Sequence, residues 1–261
     1  MDVKFTTTTS AKLNTLPIED GQIIALSDRP GYYYDMGSAR HKVSSEYVYR
    51  CNGSSEDRDN IINILSTFSA SVSSGINSMH LKIEGTYVRQ LTSGSAISFT
   101  VPQGCILYLD FTNANVSGSG SIPFISANCH GDLHIAGLAP ITSSAIIKAS
   151  GTGRLFVEDC VFGQTAGAIV GISSAISTTV TDCTFDLSTT LSPGIALTSD
   201  SPVANISDCN FISTATSTEG KAIQITSADK SKVQIHHNYL PADSVTAGGV
   251  VIDVSFTNVC P

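Results

Sequence analysis

An internal repeat is the feature of this sequence that most restricts its fold. Four segments share one pattern, in which an apolar residue is followed by any residue, a polar residue, Cys or Asn, any residue and a large apolar residue. These segments are residues 157–162, 180–185, 206–211 and 235–240. Weaker copies begin at Ile83, Leu109 and Ile135, so the starting residues follow one another at intervals of 22 to 29 residues. Such a period indicates a repeat architecture.

A second series of apolar residues runs out of phase with the first at nearly the same period. Its members are Ile97, Ile122, Ile146, Ile169, Ile195, Ile223 and Val250. Two interleaved series with one period predict two strands in every repeat, and no helical pattern lies between them. The sequence therefore predicts an all-β fold, in which residues 76–261 form a right-handed parallel β-helix of about seven coils.

Stacked coils place equivalent residues above one another, about 4.8 Å apart. One expected internal column consists of Cys160, Cys183, Cys209 and then Asn238; another consists of Phe162, Phe185, Phe211 and Leu240. The chain has seven cysteines and no CxxC pair, which favours buried reduced thiols. Thiols in line without His or carboxylate at ligand spacing make a poor metal site, so we expect no metal and no cofactor.

A helix is predicted just before the coils, within a linker and cap that we assign to residues 51–75. Ser54 or Ser55 can cap it, its first turn is acidic, and Ile61, Leu65 and Phe68 recur on one face. The first coil of a solenoid has an open apolar end and an unpaired strand edge. An amphipathic helix lying across that end covers both.

Residues 1–50 break the repeat and are predicted to form a separate arm. Residues 21–26 read as a strand, 28–31 as a turn and 32–35 as the returning strand. One hairpin in about fifty residues cannot bury a core of its own. We therefore expect a small β-hairpin arm that attaches to something else.

Two resemblances to known families support this organisation. An acidic helix followed by residues 81–88 resembles the entry of the pectate-lyase-like right-handed β-helices, and residues 236–239 resemble their coil motif. The arm resembles the N-terminal module of tailed-bacteriophage fibre and head-fibre proteins. The matching residues are Asp20, Gly21, Gln22, Tyr34, Asp35, Gly37 and Arg40.

The phage resemblance implies a virion-attachment role for the arm. The residues assigned to docking are Phe5, Leu13, Leu16, Tyr32, Tyr33, Tyr34, Asp35 and Arg40. It also implies a homotrimer that contacts other virion proteins of the capsid or tail. The expected location is the virion, assembled in the host cytoplasm.

Charge and hydropathy indicate whether nucleic acid or a membrane is expected as a partner. The formal net charge is −8 with only 14 Lys and Arg, whereas a grip on a phosphate backbone needs clustered basic residues. Nucleic acid is therefore not expected as a partner. The sequence has no long apolar stretch and no apolar signal segment after Met1, so no membrane partner is expected either.

Three aspartates carry the only candidate for chemistry on the β-helix. Asp159, Asp182 and Asp208 precede the column cysteines and are expected in register, about 5 Å apart, which is the carboxylate spacing of retaining glycosidases. This acidic ladder could face a host-surface glycan. Alternatively, the three carboxylates accept backbone N–H bonds at coil corners and have a structural role.

Histidines give no metal site on sequence grounds. His236 and His237 are adjacent on a predicted strand, so they are expected to point to opposite faces and not to chelate one ion together. His130 and His134 flank a strand entry beside Cys129, where helical ligand spacing does not apply.

The phage resemblance implies a non-enzymatic virion structural protein, and we expect no catalytic residues. The expected protein is a head fibre or decoration-like fibre, or else a tail-fibre component, whose arm docks while the β-helix projects for surface adhesion. The alternative is a tailspike-like polysaccharide lyase or glycoside hydrolase on the same fold. The absence of Trp and the 7% content of aromatic residues favour the first expectation.

Overall fold

The structure is a computed structural model that describes residues 4–9, 11–27, 32–71, 77–88, 96–120, 123–138, 142–143, 145–163, 170–186, 193–212, 221–227, 231–239 and 251–253. Strands make up 57% of it, which confirms a mostly β fold with a parallel β-solenoid and one α-helix.

The strands are, in chain order, β1 (Lys4–Thr8), β2 (Gln22–Leu26), β3 (Tyr32–Met36), β4 (Ala39–Asn52), β5 (Ser78–Val88), β6 (Ile97–Val101), β7 (Ile106–Asp110), β8 (Ala114–Ser117), β9 (Ser119–Gly120), β10 (Ile125–Cys129), β11 (Asp132–Ala136), β12 (Thr142–Ser143), β13 (Ala145–Gly151), β14 (Arg154–Glu158), β15 (Val161–Phe162), β16 (Val170–Ser174), β17 (Ser177–Thr181), β18 (Thr184–Asp186), β19 (Ile195–Leu197), β20 (Ala204–Ser207), β21 (Asn210–Ile212), β22 (Lys221–Ile225), β23 (Val233–His236) and β24 (Val251–Asp253). A 3-10 turn spans Leu13–Thr15, and helix α1 spans Asp57–Ser71.

The largest sheet contains the first predicted series. Its order is β1-β2-β3-β4-β5-β7-β11-β14-β17-β20-β23, with β8 also paired to β5, and its pairs are parallel from β4 onward. One buried column runs through Leu81, Leu109, Ile135, Val157, Val180, Ile206 and Ile235. The column begins at Leu81 rather than at the predicted Ile83, because both residues are buried on the same strand and hydrophobicity alone does not fix the register.

The second sheet contains the second series, with several shifts of register. Its order is β24-β22-β19-β16-β13-β10-β6, all parallel. The paired column is Ile97, Ile125, Ile147, Ile172, Ile195, Ile223 and Ile252. Ile146 is therefore displaced by one position, while Ile122, Ile169 and Val250 lie outside the described residues. The number of residues between successive strands of this sheet varies from coil to coil, so a near-constant period does not predict the residue at which each strand begins.

A third parallel sheet, β15-β18-β21, closes the coils, and the bridge between Asn210 and Tyr239 extends it. Phe162, Phe185 and Phe211 stack inside it with ring centroids 4.7 and 4.9 Å apart, which confirms the aromatic column. Leu240 lies outside the described residues. The solenoid has about four turns, so the prediction of about seven coils is not confirmed.

Helix α1 covers the start of the solenoid. Ile61, Leu65 and Phe68 are buried, and the Ser69 hydroxyl donates to the carbonyl of Thr100 on β6 at 2.8 Å. The helix begins at Asp57, later than the predicted serine caps. The Asp57 carboxylate accepts bonds from the N–H groups of Asn52 and Gly53, at 3.2 and 2.9 Å, and so ties the helix start to the end of β4.

The arm is continuous with the solenoid. Strand β1 pairs parallel with β2, and β2, β3 and β4 pair antiparallel in sequence order. Residues 45–52 of β4 then pair parallel with β5, so one strand crosses the predicted boundary at residue 50. The division into an arm, a linker and a β-helix stays a prediction.

Candidate functional site

One buried ion pair organises the arm. The Nε and Nη2 atoms of Arg40 donate to the two carboxylate oxygens of Asp35 at 2.7 and 2.8 Å. The same guanidinium donates to the carbonyl oxygens of Leu13, Leu16 and Pro17 at 2.6 to 3.1 Å. Its hydrogen bond with Asp35 raises the pKa of Arg40, so the guanidinium stays charged. Arg40 therefore ties the 3-10 turn to the β3–β4 hairpin.

The other residues of the phage-like motif serve the same hairpin. Gly37 adopts φ +63°, and its N–H donates to the Asp20 carboxylate at 2.7 Å. Gly21 donates to the carbonyl of Asp35 at 2.9 Å, and the Gln22 amide donates to the Thr6 hydroxyl at 2.6 Å. The motif thus specifies a compact turn arrangement inside the arm.

The sheet of the arm has a closed face and an open face. Gln22, Ile24 and Asp35 are buried on the closed face. On the open face Phe5 pairs with Ile23, which pairs with Tyr34, and Met36 follows two residues later. We call Phe5, Ile23, Tyr34 and Met36 the open arm face. Phe5 is 77% exposed, Met36 60% and Tyr34 37%.

The structure separates the predicted docking residues into two groups. Leu13 and Asp35 are buried, and Arg40, Leu16 and Tyr33 are half-buried. Phe5 and Tyr34 face outward. Tyr32 lies on β3, and its side chain is outside the described set. Sequence analysis missed Met36, although its alternation with Tyr34 along the strand could have indicated it.

The acidic ladder lies on one corner of the solenoid. Asp159, Asp182 and Asp208 have φ of 51°, 53° and 57°, the left-handed conformation that Asp tolerates better than most residues. Their side chains are exposed, and within the described stretches none of the three carboxylates accepts a hydrogen bond. The expected backbone N–H bonds to these oxygens are therefore absent there. The left-handed backbone conformation at this corner explains why Asp recurs there in three coils.

The cysteine column is internal, as the repeat predicts. The six described cysteines are free and buried. The Cys183 and Cys209 thiols donate to the carbonyl oxygens of Thr181 and Ser207 at 3.1 and 3.2 Å. A hydrogen bond with the preceding thiol raises the pKa of Cys183 and of Cys209, and burial raises that of Cys129 to about 12. Protonated, inaccessible thiols are poor nucleophiles and poor metal ligands.

Asn238 continues this column with a different contact. Its side chain accepts from the N–H of Cys209 at 2.9 Å and donates to the carbonyl of Ile206 at 2.9 Å. Both polar atoms of the Asn238 side chain therefore have hydrogen-bond partners in the preceding coil.

An aromatic ladder on the outer face of the main sheet was missed by sequence analysis. His80, Tyr108, His134 and Phe156 occupy one register column, and the last three rings stack at 4.3 Å. These four residues follow one another at the same intervals as the residues of the buried columns, so the repeat could have identified them. Burial lowers the pKa of His134, which favours its neutral form. The guanidinium carbon of Arg154 lies 5.5 Å from the centroid of the Phe156 ring, at the end of this stack.

His130, His134 and Cys129 do not form a cluster. His130 is exposed at a corner, where its ring nitrogens contact Asn128 and Thr152 at 3.3 and 3.1 Å. His134 lies in the aromatic ladder, and Cys129 is buried. Across the described residues no three His, Cys, Asp or Glu side chains converge on a possible metal position.

The expectation that His236 and His237 point to opposite faces is wrong. Their rings contact each other at a centroid distance of 4.9 Å, and their Nδ1 atoms are 3.1 Å apart. The reason is that His237 is not a strand residue. It has φ 55°, the same corner conformation as the three aspartates, and this corner breaks the alternation that would send the two side chains to opposite faces.

Comparisons with known proteins add no family. No protein-family model, no curated protein and no solved structure gives a significant match to this chain. Within the residues that the structure describes, no helix combines the length and the apolar character needed to cross a membrane.

Proposed function

We propose that this chain is a non-enzymatic structural protein of a bacteriophage virion, either a head fibre or decoration-like fibre, or else a tail-fibre component. The arm docks on another virion protein of the capsid or tail, and the solenoid projects for surface adhesion. The observation that carries the proposal is the two-faced sheet of the arm. One face is closed by the Asp35–Arg40 pair, while the other presents exposed apolar side chains.

Exposed apolar side chains on a rigid sheet favour a protein partner. Phe5 and Met36 are large apolar side chains on paired strands, so a partner that covers them has to order the side chains but not the backbone. Aromatic residues and Met are enriched at the centres of protein interfaces. Tyr34 lies in the same row as Phe5 and two residues before Met36 on β3, and it adds a ring with a polar tip.

The test is incorporation into phage particles. Phe5→Asp combined with Met36→Asp should abolish incorporation, because two charges would have to be buried without partners. Val203→Asp is the matched control, since Val203 is also exposed but lies on the solenoid. Particles that carry the double variant at the wild-type level would refute the docking assignment.

A deletion of residues 1–43 tests the arm as a whole. It leaves residues 45–52 of β4, which pair with β5, so the solenoid keeps its first parallel neighbour. We expect a folded protein that is absent from particles. A deleted chain that is still incorporated would show that the arm is not the anchor.

Association as a homotrimer is part of the proposal. The apolar side chains of the open arm face and of the solenoid surface leave area that further copies could cover. Light scattering after size-exclusion chromatography should give three copies. A stable monomer at micromolar concentration with a folded arm would contradict it.

We also propose that the coils wind right-handed and number about seven along the full chain. Right-handed crossovers between parallel strands are the strong rule in such sheets. An experimental structure with a left-handed winding or fewer coils would overturn this proposal.

A tailspike-like lyase or hydrolase is the second candidate, and the acidic ladder on a corner is the observation that favours it. The exposure of its three carboxylates argues against it, because a general acid needs a partly desolvated site. Release of reducing sugar or unsaturated uronate from host polysaccharide, lost in Asp182→Asn or Asp208→Asn, would promote this candidate over the structural role.

A further inference from the structure

The aromatic ladder forms a partly covered strip along the outer face of the main sheet. Tyr108 is 38% exposed, and the rings of His134 and Phe156 are half-buried. Ile106 and Ala136, on the same two strands as Tyr108 and His134, also lie on this face and are half-buried. Aromatic side chains are enriched at the centres of protein interfaces. The strip therefore has the composition of an interface centre.

Charged side chains border the strip on both sides at the level of strand β14. Alternation along the strand places Arg154, Phe156 and Glu158 on the outer face, with Phe156 in the middle. The Nε and Nη2 atoms of Arg154 donate to Asp132, whereas its Nη1 atom has no partner among the described residues. Glu158 is exposed, and its carboxylate has no partner in the described part of the chain. One flank of β14 thus has a spare cationic donor, and the other has an unpaired carboxylate.

These two flanks are complementary between copies that are related by a rotation axis parallel to the solenoid. In that arrangement the left flank of one copy meets the right flank of the next at the same height, so Arg154 meets Glu158. A two-fold axis parallel to the strands, at the level of β14, would instead bring Arg154 to Arg154 and Glu158 to Glu158. Opposite charges across an interface fix its register, and facing like charges suppress the wrong pairing. The charge pattern therefore favours the axis parallel to the solenoid.

We propose that copies of this chain associate through the aromatic ladder, around an axis parallel to the solenoid. The number of copies, three, is that of the proposed function, on which this inference rests. The ladder of each copy faces the axis, and Arg154 of each copy pairs with Glu158 of the next. Such head-to-tail contacts form a closed ring when the rotation closes after three copies.

Light scattering after size-exclusion chromatography tests the surface. Tyr108→Lys should convert the trimer to a monomer, because three ammonium groups would lie around one axis. Tyr239→Lys is the matched control, since Tyr239 is 66% exposed but lies beside the third sheet, and this variant should stay trimeric. Circular dichroism melting curves check that both variants are folded.

Cysteine cross-linking tests the proposed neighbours directly. Arg154→Cys combined with Glu158→Cys should give covalently linked trimers on a non-reducing gel after mild oxidation. The two positions lie about 13 Å apart on one extended strand, whereas the Cα atoms of a disulfide lie within about 7 Å, so no bond can form within the chain. The six described native cysteines are buried and do not compete.

Each single cysteine variant is a control and should stay unlinked, because equivalent positions of neighbouring copies lie on different flanks. If Tyr108→Lys does not fold, the cross-link decides alone. A trimeric wild type whose double cysteine variant stays unlinked, or whose folded Tyr108→Lys variant remains a trimer, would overturn this surface and leave the proposed trimer standing. A monomeric wild type would overturn both.

Discussion

The arm and the solenoid are stabilised by different kinds of contact. In the arm, one guanidinium joins a carboxylate and three carbonyl groups, and these tie a turn to a hairpin. In the solenoid, the same contact recurs from coil to coil, as in the column of Phe162, Phe185 and Phe211. The arm is too small for a core, so it depends on a few strong polar contacts, whereas the solenoid distributes its stability along continuous apolar columns.

The largest expected effect comes from a charge inside a column. Phe185→Asp should unfold the solenoid, because Phe185 is fully buried between two rings and an unpaired carboxylate there costs several kcal/mol. Urea denaturation followed by circular dichroism measures it. Val161→Asp, at an exposed position that pairs with Thr184 and lies one residue before the Phe162 of the same column, should cost less than about 1 kcal/mol. Equal midpoints for the two variants would contradict a shared apolar column.

Breaking the ion pair of the arm should have a smaller and more local effect. Arg40→Ala leaves the Asp35 carboxylate buried without its partner and should destabilise the arm by about 3 kcal/mol. Hydrogen exchange should rise in β1 to β3, while β14, β17 and β20 keep their protection. Lys4→Ala removes an exposed ion pair with Glu19 and should cost less than about 1 kcal/mol. Loss of protection throughout the solenoid would show that the two regions unfold as one unit.

A methyl group at a tight corner gives the next effect. A Cβ at Gly153 would lie 2.0 Å from the carbonyl oxygen of Gly131 in the preceding coil, so Gly153→Ala must push two coils apart. We expect a loss of about 2 kcal/mol in thermal unfolding experiments. Gly104→Ala is the control, since Gly104 has φ +74° but nothing within 4 Å, and should cost about 1 kcal/mol. Indistinguishable melting temperatures would mean that the corners are not closely packed.

The smallest effect concerns pH. Burial lowers the pKa of His134 in the folded protein, so below about pH 6.5 the unfolded chain binds a proton more readily than the folded one. The contribution of His134 to stability is therefore full above that pH and is lost as the pH falls. His134→Phe keeps a ring between Tyr108 and Phe156 and should flatten the decline of stability between pH 7.5 and 5.5. A decline as steep as that of wild type would assign the pH dependence to other groups.

The solenoid could be predicted from the sequence because its columns repeat. Leu109, Ile135 and the later members of the first series occupy one register position. The predicted register was wrong where two apolar residues on one strand could both belong to the column, as with Leu81 and Ile83 and with Ile147 and Ile146. All four are buried, so their hydrophobicity does not show which one pairs with the next coil.

The candidate sites could be predicted only in part. The phage-like motif identified Asp35 and Arg40 but not their mutual burial, because that depends on a turn 27 residues away from Arg40, at Leu13. The contact between His236 and His237 depends on one left-handed residue. The periodic pattern of apolar residues does not predict which residue adopts that conformation.

The pairing pattern also has a consequence for synthesis on the ribosome. Along the main sheet, each strand from β7 to β20 pairs only with the preceding and the following coil, and α1 covers the N-terminal end of the stack. The arm and then the cap therefore leave the ribosome before any coil that follows α1, and each completed coil offers a strand edge to the next one. Chains fold from the N-terminus as they are made, at about 5 to 20 residues per second. A coil of this length then has on the order of seconds to dock before the next one emerges, so the fold can grow in the order in which it is translated.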